Sequence, residues 1–143
     1  MFFALVIMGL MFFFPVLRFV DSNSKTYELT YLGIVNIDDG EYIVKAIPLT
    51  ILLVIIVLLL LITISSFKKR ILQMRLSVFS ILLMIGSLGL IFFYSFHGKS
   101  KTGGDIFYLY PLVFPLVSAI LTFLAFKGVK KDEELVRSYD RIR

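Results

Sequence analysis

Uncharged apolar runs alternate with short polar segments along the whole chain. Four runs hold no Asp, Glu, Lys or Arg: Met1–Leu17, Ile47–Phe67, Leu76–Phe96 and Ile106–Phe126. A helix crosses the hydrocarbon core of a bilayer with about 20 apolar residues, within a range of about 17 to 25. The pattern therefore predicts an all-α membrane protein, a bundle of four transmembrane helices over about residues 1–19, 47–67, 76–96 and 106–126. An outer loop over 20–46, an inner loop over 68–75, an outer loop over 97–105 and an inner tail over 127–143 complete the chain. The first run has neither the basic lead nor the small-residue cleavage site of a signal peptide, so it is expected to be retained. It starts without a flanking polar residue, which leaves two expectations: a short helix, or a native start upstream of Met1.

The first outer loop is too long for a simple turn, and its pattern changes period. Thr26-Tyr27-Glu28-Leu29-Thr30-Tyr31-Leu32 and Glu41-Tyr42-Ile43-Val44 are rich in strand-favouring residues, and Asp38-Asp39-Gly40 between them is a hairpin-turn signal because glycine accepts positive φ. A small β-hairpin or three-stranded cap is expected on the outer helix ends. The second outer loop, His97 to Asp105, reads as a flexible connector. Pro111 and Pro115, four residues apart, should kink the fourth helix or delay its start.

Composition agrees with a membrane solvent: 59% of the residues are apolar, 17% are charged and the mean hydropathy is +0.94. The net charge of +5 does not suggest nucleic acid, because the basic residues lie between and after the apolar runs. No nucleic-acid partner is expected. Cytoplasmic loops retain Lys and Arg. Four (Lys68, Lys69, Arg70, Arg75) lie in the second connection and six (Lys127, Lys130, Lys131, Arg137, Arg141, Arg143) in the tail, making ten inside against five outside: Arg18 at the outer end of the first run, with Lys25, Lys45, Lys99 and Lys101 in the outer loops. Both termini are therefore expected in the cytoplasm. Lys68, Lys69, Arg70 and Arg75, with Lys130, Lys131, Arg137, Arg141 and Arg143, are the candidate contacts for anionic lipid or a protein partner. In the tail, Leu135, Tyr139 and Ile142 share a helical face and Glu133 precedes Arg137 by four, which predicts a short amphipathic helix continuing from, or hinged at, Gly128.

Chemistry-bearing residues are sparse. There is no cysteine, which excludes disulfides and thiolate sites. Asp38, Asp39 and Glu41 do not follow a calcium-loop spacing and are ordinary turn formers. Gly98-Lys99-Ser100 resembles the end of a phosphate-binding loop, but Phe93 stands where the upstream glycine belongs. His97, the single histidine, is expected as an interfacial cap. No ionisable residue lies within the apolar runs, unlike most transporters and pumps. Thr63, Ser80, Ser87, Ser118 and Thr122 can each bond back to their own helix. The Gly86-Ser87-Leu88-Gly89 and Ser118-Ala119-Thr122 groups favour close helix packing.

The closing run Lys131-Asp132-Glu133-Glu134-Leu135-Val136-Arg137-Ser138-Tyr139-Asp140-Arg141-Ile142-Arg143 resembles the signature of the Bacteroidetes family called domain of unknown function 4293. Phe13-Phe14-Pro15, the polar outer loop and the four-helix layout are similar to that family as well. The resemblance implies a bacterial inner-membrane location, and a short polar stretch with Arg and Gln ahead of the first helix. It brings no catalytic residues. Claudin-like proteins share the layout, but they carry a Trp and paired Cys in the first outer loop, and this chain has neither. The expected function is a non-enzymatic accessory or scaffold subunit of a larger membrane complex, in contact with membrane lipids and without a cofactor. The alternative is a small carrier of lipid or another hydrophobic molecule in an inter-helix cavity. An enzyme ranks third, because Asp38, Asp39, Glu41 and Asp105 have no basic or metal partner near in sequence.

Overall fold

The first apolar run does not form one transmembrane helix. The structure, a computed structural model that describes residues 1–21 and 25–140, with backbone alone at 137, 139 and 140, ends helix α1 (Phe2–Leu10) after nine residues. That is about 14 Å at 1.5 Å per residue, half of the roughly 30 Å hydrocarbon thickness. Past Leu10 the chain tightens into turns in which the Met11, Phe12 and Phe13 amides donate to carbonyls three residues back, and Pro15 ends them, because it lacks an amide N–H and disfavours helical backbone at Phe14. The chain then extends, and Leu17–Val20 becomes strand β1. Leu17 and Phe19 are buried while Arg18 between them is exposed, the period of two that a strand imposes.

Strands β2 (Thr26–Leu29), β3 (Gly33–Asn36) and β4 (Tyr42–Lys45) follow, and β5 (Asp105–Tyr108) arises from the end of the second outer loop and the start of the fourth run. All pair antiparallel into one five-stranded sheet of order β4-β3-β2-β1-β5. Asp38-Asp39-Gly40 joins β3 to β4, with Gly40 at φ 69°. Asn36 Nδ2 donates to Asp39 Oδ2 at 2.7 Å and its Oδ1 accepts from the Asp38 amide at 3.1 Å. These findings overturn the all-α bundle of four transmembrane helices with a small hairpin: the fold is four helices and a five-stranded sheet. Three helical segments, Ile47–Ser65, Arg70–Thr102 and Tyr110–Val136, are long and apolar enough to cross a membrane.

Helix α2 (Ile47–Ser65) starts with Pro48 in its first turn, where the missing N–H costs nothing. Helix α3 (Arg70–Thr102) spans 33 residues, about 50 Å. It continues through His97–Thr102, the expected flexible connector, until Gly103 takes a left-handed φ of 65° and donates its amide to the Lys99 carbonyl at 2.9 Å. Tyr110–Val113 forms a 3-10 turn around Pro111, and helix α4 (Phe114–Asp140) begins one residue before Pro115. The two prolines thus set the start of α4. It then runs unbroken through Gly128.

The helices meet through small and hydroxyl-bearing residues. In α3 the buried positions Ser77, Ser80, Met84, Ser87, Ile91, Tyr94 and Gly98 alternate in steps of three and four. Leu49, Leu53, Ile56, Leu60 and Thr63 are the buried positions of α2, and Ser118, Ala119 and Thr122 are buried on α4; α3 packs against both helices. Short side chains let backbones approach, which is how helices associate in lipid. Ser77, Ser80, Thr63 and Thr122 donate to carbonyls four residues back at 2.6–2.9 Å, and Ser87 to Met84 at 2.7 Å. Ser118 differs from the expectation: its hydroxyl crosses to the Ala4 carbonyl of α1 at 3.3 Å. Gly86 and Gly89 face open space, so of that group only Ser87 joins the packed face. The large apolar side chains point outward. Only 28, 28 and 22% of the most apolar stretch of the three long segments is buried, an arrangement suited to hydrocarbon and unfavourable in water.

The sheet sits across one end of the bundle. Its inner face contributes Leu17, Phe19, Leu29 and Ile34, all fully buried, against the C-terminal turns of α3. Gly98 makes this approach possible: a Cβ there would lie 2.6 Å from Phe19 Cζ and 2.8 Å from Ile34 Cδ1.

Candidate functional site

Antiparallel packing of α3 on α4 collects the basic residues at the end opposite the sheet. The α2–α3 connection is a tight turn in which the Lys69 amide donates to the Ser66 carbonyl at 2.9 Å. Lys68 and Lys69 are exposed there and Arg70 is half-buried. Arg70 Nη1 donates to the Asp132 carbonyl at 3.1 Å, which ties the start of α3 to the extension of α4. Gln73 Nε2 approaches Met1 Sδ at 3.7 Å, so the start of α1 lies at the same end.

Two adjoining grooves open between these elements. One, of about 400 Å³, is lined by Ile71, Met74, Arg75, Val78 and Phe126 together with Lys130, Glu133 and Glu134. The other, of about 550 Å³, is lined by Lys68, Lys69, Arg70, Ile71, Glu133 and Val136. Ile71 and Glu133 belong to both, so the cationic groove leads into the largely apolar one. Lys130 and Glu134 are 3.9 Å apart and largely exposed, a pair worth little in water. Lys127 lies 4.9 Å from the centre of the Phe123 ring, an apolar stem with a charged tip, as found at membrane–water boundaries.

Of the candidate contacts, Lys68, Lys69, Arg70, Arg75 and Lys130 therefore line one continuous depression, while Lys131 is exposed on α4 outside it. The side chain of Arg137, and Arg141 and Arg143 entirely, lie outside the described residues, as do the far partner of the Glu133–Arg137 pair and the Tyr139 and Ile142 side chains of the amphipathic face.

At the sheet end the pairing register aligns a transverse row on the outer face: Phe107, Arg18, Glu28, Val35 and Tyr42 from β5, β1, β2, β3 and β4. Arg18 Nη2 and Nε both donate to Glu28 Oε1, at 2.6 and 3.0 Å. Phe107 and Tyr108 on one edge strand, and Tyr42 and Ile43 on the other, are 43–53% exposed. Neither β4 nor β5 has a second strand neighbour among the described residues. Beside β4, the residues Leu32, Tyr42, Lys45, Ile47, Thr50 and Ile51 line an apolar crevice of about 270 Å³. The sequence pattern predicts only a hairpin or three-stranded cap here; it does not disclose β1, which lies at the end of the first apolar run, or β5, which lies at the start of the fourth. The traces were the Arg18 alternation and the polar Asp105 beside Ile106.

Among the described residues no three His, Cys, Asp or Glu side chains gather to hold a metal. His97 lies within α3 and stacks on Phe93 with centroids 6.1 Å apart and planes 6° from parallel. Ser95 Oγ is buried without a hydrogen-bond partner among the described residues. No curated protein matches the chain. Residues 1–142 match the model of the family described as Domain of unknown function (DUF4293), and the chain belongs to that family.

Proposed function

We propose that the chain is a non-enzymatic accessory or scaffold subunit of a larger membrane complex, inserted with its basic end in the cytoplasm and its sheet outside. The observation that supports this most directly is the sheet itself. It sits at the end of the bundle away from the basic turn, and it presents aromatic and aliphatic side chains along two edges that are unpaired among the described residues. An open strand edge is a template for pairing with another chain. The outward Phe107 and Tyr42, on either side of the Arg18–Glu28 pair, supply the apolar anchors that interfaces favour.

A photocrosslinker at Tyr42 or Phe107 in native membranes should capture a stoichiometric partner, and one at Phe79, on the lipid-facing side of α3, should not. A clean monomer in mild detergent with no crosslinks from the sheet would remove the proposal. Orientation is testable on a clean background, since the chain has no cysteine. Ile43→Cys should react with a membrane-impermeant maleimide in intact cells, and Lys131→Cys only after lysis; the reverse pattern refutes the orientation.

A further inference from the structure

We propose that the paired grooves at the basic end form a binding site for one acidic glycerophospholipid, its phosphate held by Lys68, Lys69 and Arg75 and an acyl chain laid along Ile71, Met74 and Val78 of α3. The inference rests on the membrane-spanning reading above. Its first support is charge. Five cationic side chains line the depression against two carboxylates, Glu133 and Glu134. A net positive groove favours an anionic headgroup over a zwitterionic one.

The second support is the order of chemistry along the groove. Ile71, Met74 and Val78 are spaced by three and four on α3, so they share one helical face, and Phe126 of α4 forms the opposing wall. The same outward face continues through Leu82 and Ile85, 62% and 58% exposed. Past Arg75, from Leu76 to Ile85, the helix rises about 14 Å, close to the roughly 15 Å of one leaflet's hydrocarbon. From Arg75 back to Arg70 the rise is about 7 Å, matching the roughly 5–7 Å headgroup layer on each side of the bilayer. Lys127 on Phe123 marks the same boundary on α4. The cations therefore stand at headgroup depth beside Ile71 and Met74, and the same apolar face runs on from Val78 to acyl depth. A soluble anion would use only the first part, and a neutral lipid only the second.

The test uses the full chain, purified in mild detergent, delipidated, and titrated with phosphatidylglycerol or phosphatidylcholine under native mass spectrometry. Phosphatidylglycerol should bind at least tenfold more tightly. Lys68→Gln with Lys69→Gln should weaken it about 30-fold, taking each basic residue near an anionic surface as worth about fivefold, and leave phosphatidylcholine unchanged. Lys99→Gln with Lys101→Gln, the same charge loss at the sheet end, should leave both unchanged. Val78→Trp, which fills the apolar part without altering charge, should also weaken phosphatidylglycerol. Equal binding of the two lipids, equal loss in the Lys99/Lys101 control, or displacement by millimolar inorganic phosphate would each overturn the site. Alkaline extraction of cell membranes separates this outcome from failure of the underlying reading: a chain that leaves the membrane pellet does not span it, whatever it binds.

Discussion

Replacing Gly98 by Ala tests whether the sheet is seated on α3 as described. The new Cβ would lie 2.6 Å from Phe19 Cζ, 2.8 Å from Ile34 Cδ1 and 3.0 Å from Phe19 Cε1. Carbon atoms in contact sit at about 3.5–4.0 Å, so the overlap approaches 1 Å, against two side chains that are themselves fully buried. Overpacking of this kind costs about 1–3 kcal/mol, while Gly to Ala inside a helix returns up to about 1 kcal/mol. Gly86, in the same helix, has nothing within 4 Å of its Cβ position, so Gly86→Ala carries the helix gain without the clash. The two variants should differ by about 1–3 kcal/mol, with Gly98→Ala the less stable. For a chain of this size that is a gap of roughly 3–9 °C in thermal midpoint, measurable by circular dichroism in detergent. Amide hydrogen exchange should place the damage: faster exchange in β1 and β3, with α2 protected as before. A Gly98→Ala midpoint equal to or above that of Gly86→Ala would refute the seating.

Gly104→Ala drives a Cβ to within 2.6 Å of the Val20 carbonyl oxygen and 2.7 Å of its carbon. Backbone cannot rotate away, so β5 should separate from β1, seen as exchange at Ile106 and Phe107, whereas Gly128→Ala, with nothing within 4 Å of its Cβ position, should leave that pairing intact. Ser118→Ala removes the hydrogen bond to the Ala4 carbonyl and should cost about 0.5–1 kcal/mol, read as earlier proteolysis of the α1 segment; unchanged protection would count against that contact. A double-mutant cycle on Arg18 and Glu28, whose side chains are 47% and 19% exposed, should return a coupling of about 0.5 kcal/mol that falls with added salt.

Length and hydrophobicity alone made α2, α3 and α4 legible, because an uninterrupted apolar run of about 20 residues has few other solutions. The same criterion misread the first run. Met1 to Leu17 is apolar throughout, and periodicity cannot separate helix from strand where every position is apolar. The informative residues were Pro15, which stops the helix, and Arg18, which restarts the pattern with a period of two. β5 was hidden for a different reason: a four-residue edge strand gains its stability from the neighbour it pairs with, and β1 is remote in sequence. The basic residues were legible one by one. Their convergence around Ile71 was not, since it depends on α4 continuing past Gly128 to lie beside the start of α3.

The pairing of Leu17 with Tyr108 sets an order of assembly. During synthesis β1 emerges early and can pair at once with β2, the next strand, as ordinary hairpin logic allows. Its other edge stays vacant until α2 and α3 have been made and residues 105–108 return to lie beside β1. The fifth strand thus acts as a closing stitch, and only a chain whose α2 and α3 have reached their places can fasten it. A reporter of β1–β5 pairing, such as exchange at Phe19 or a cysteine pair across the two strands, would read out the placement of α2 and α3 as one event.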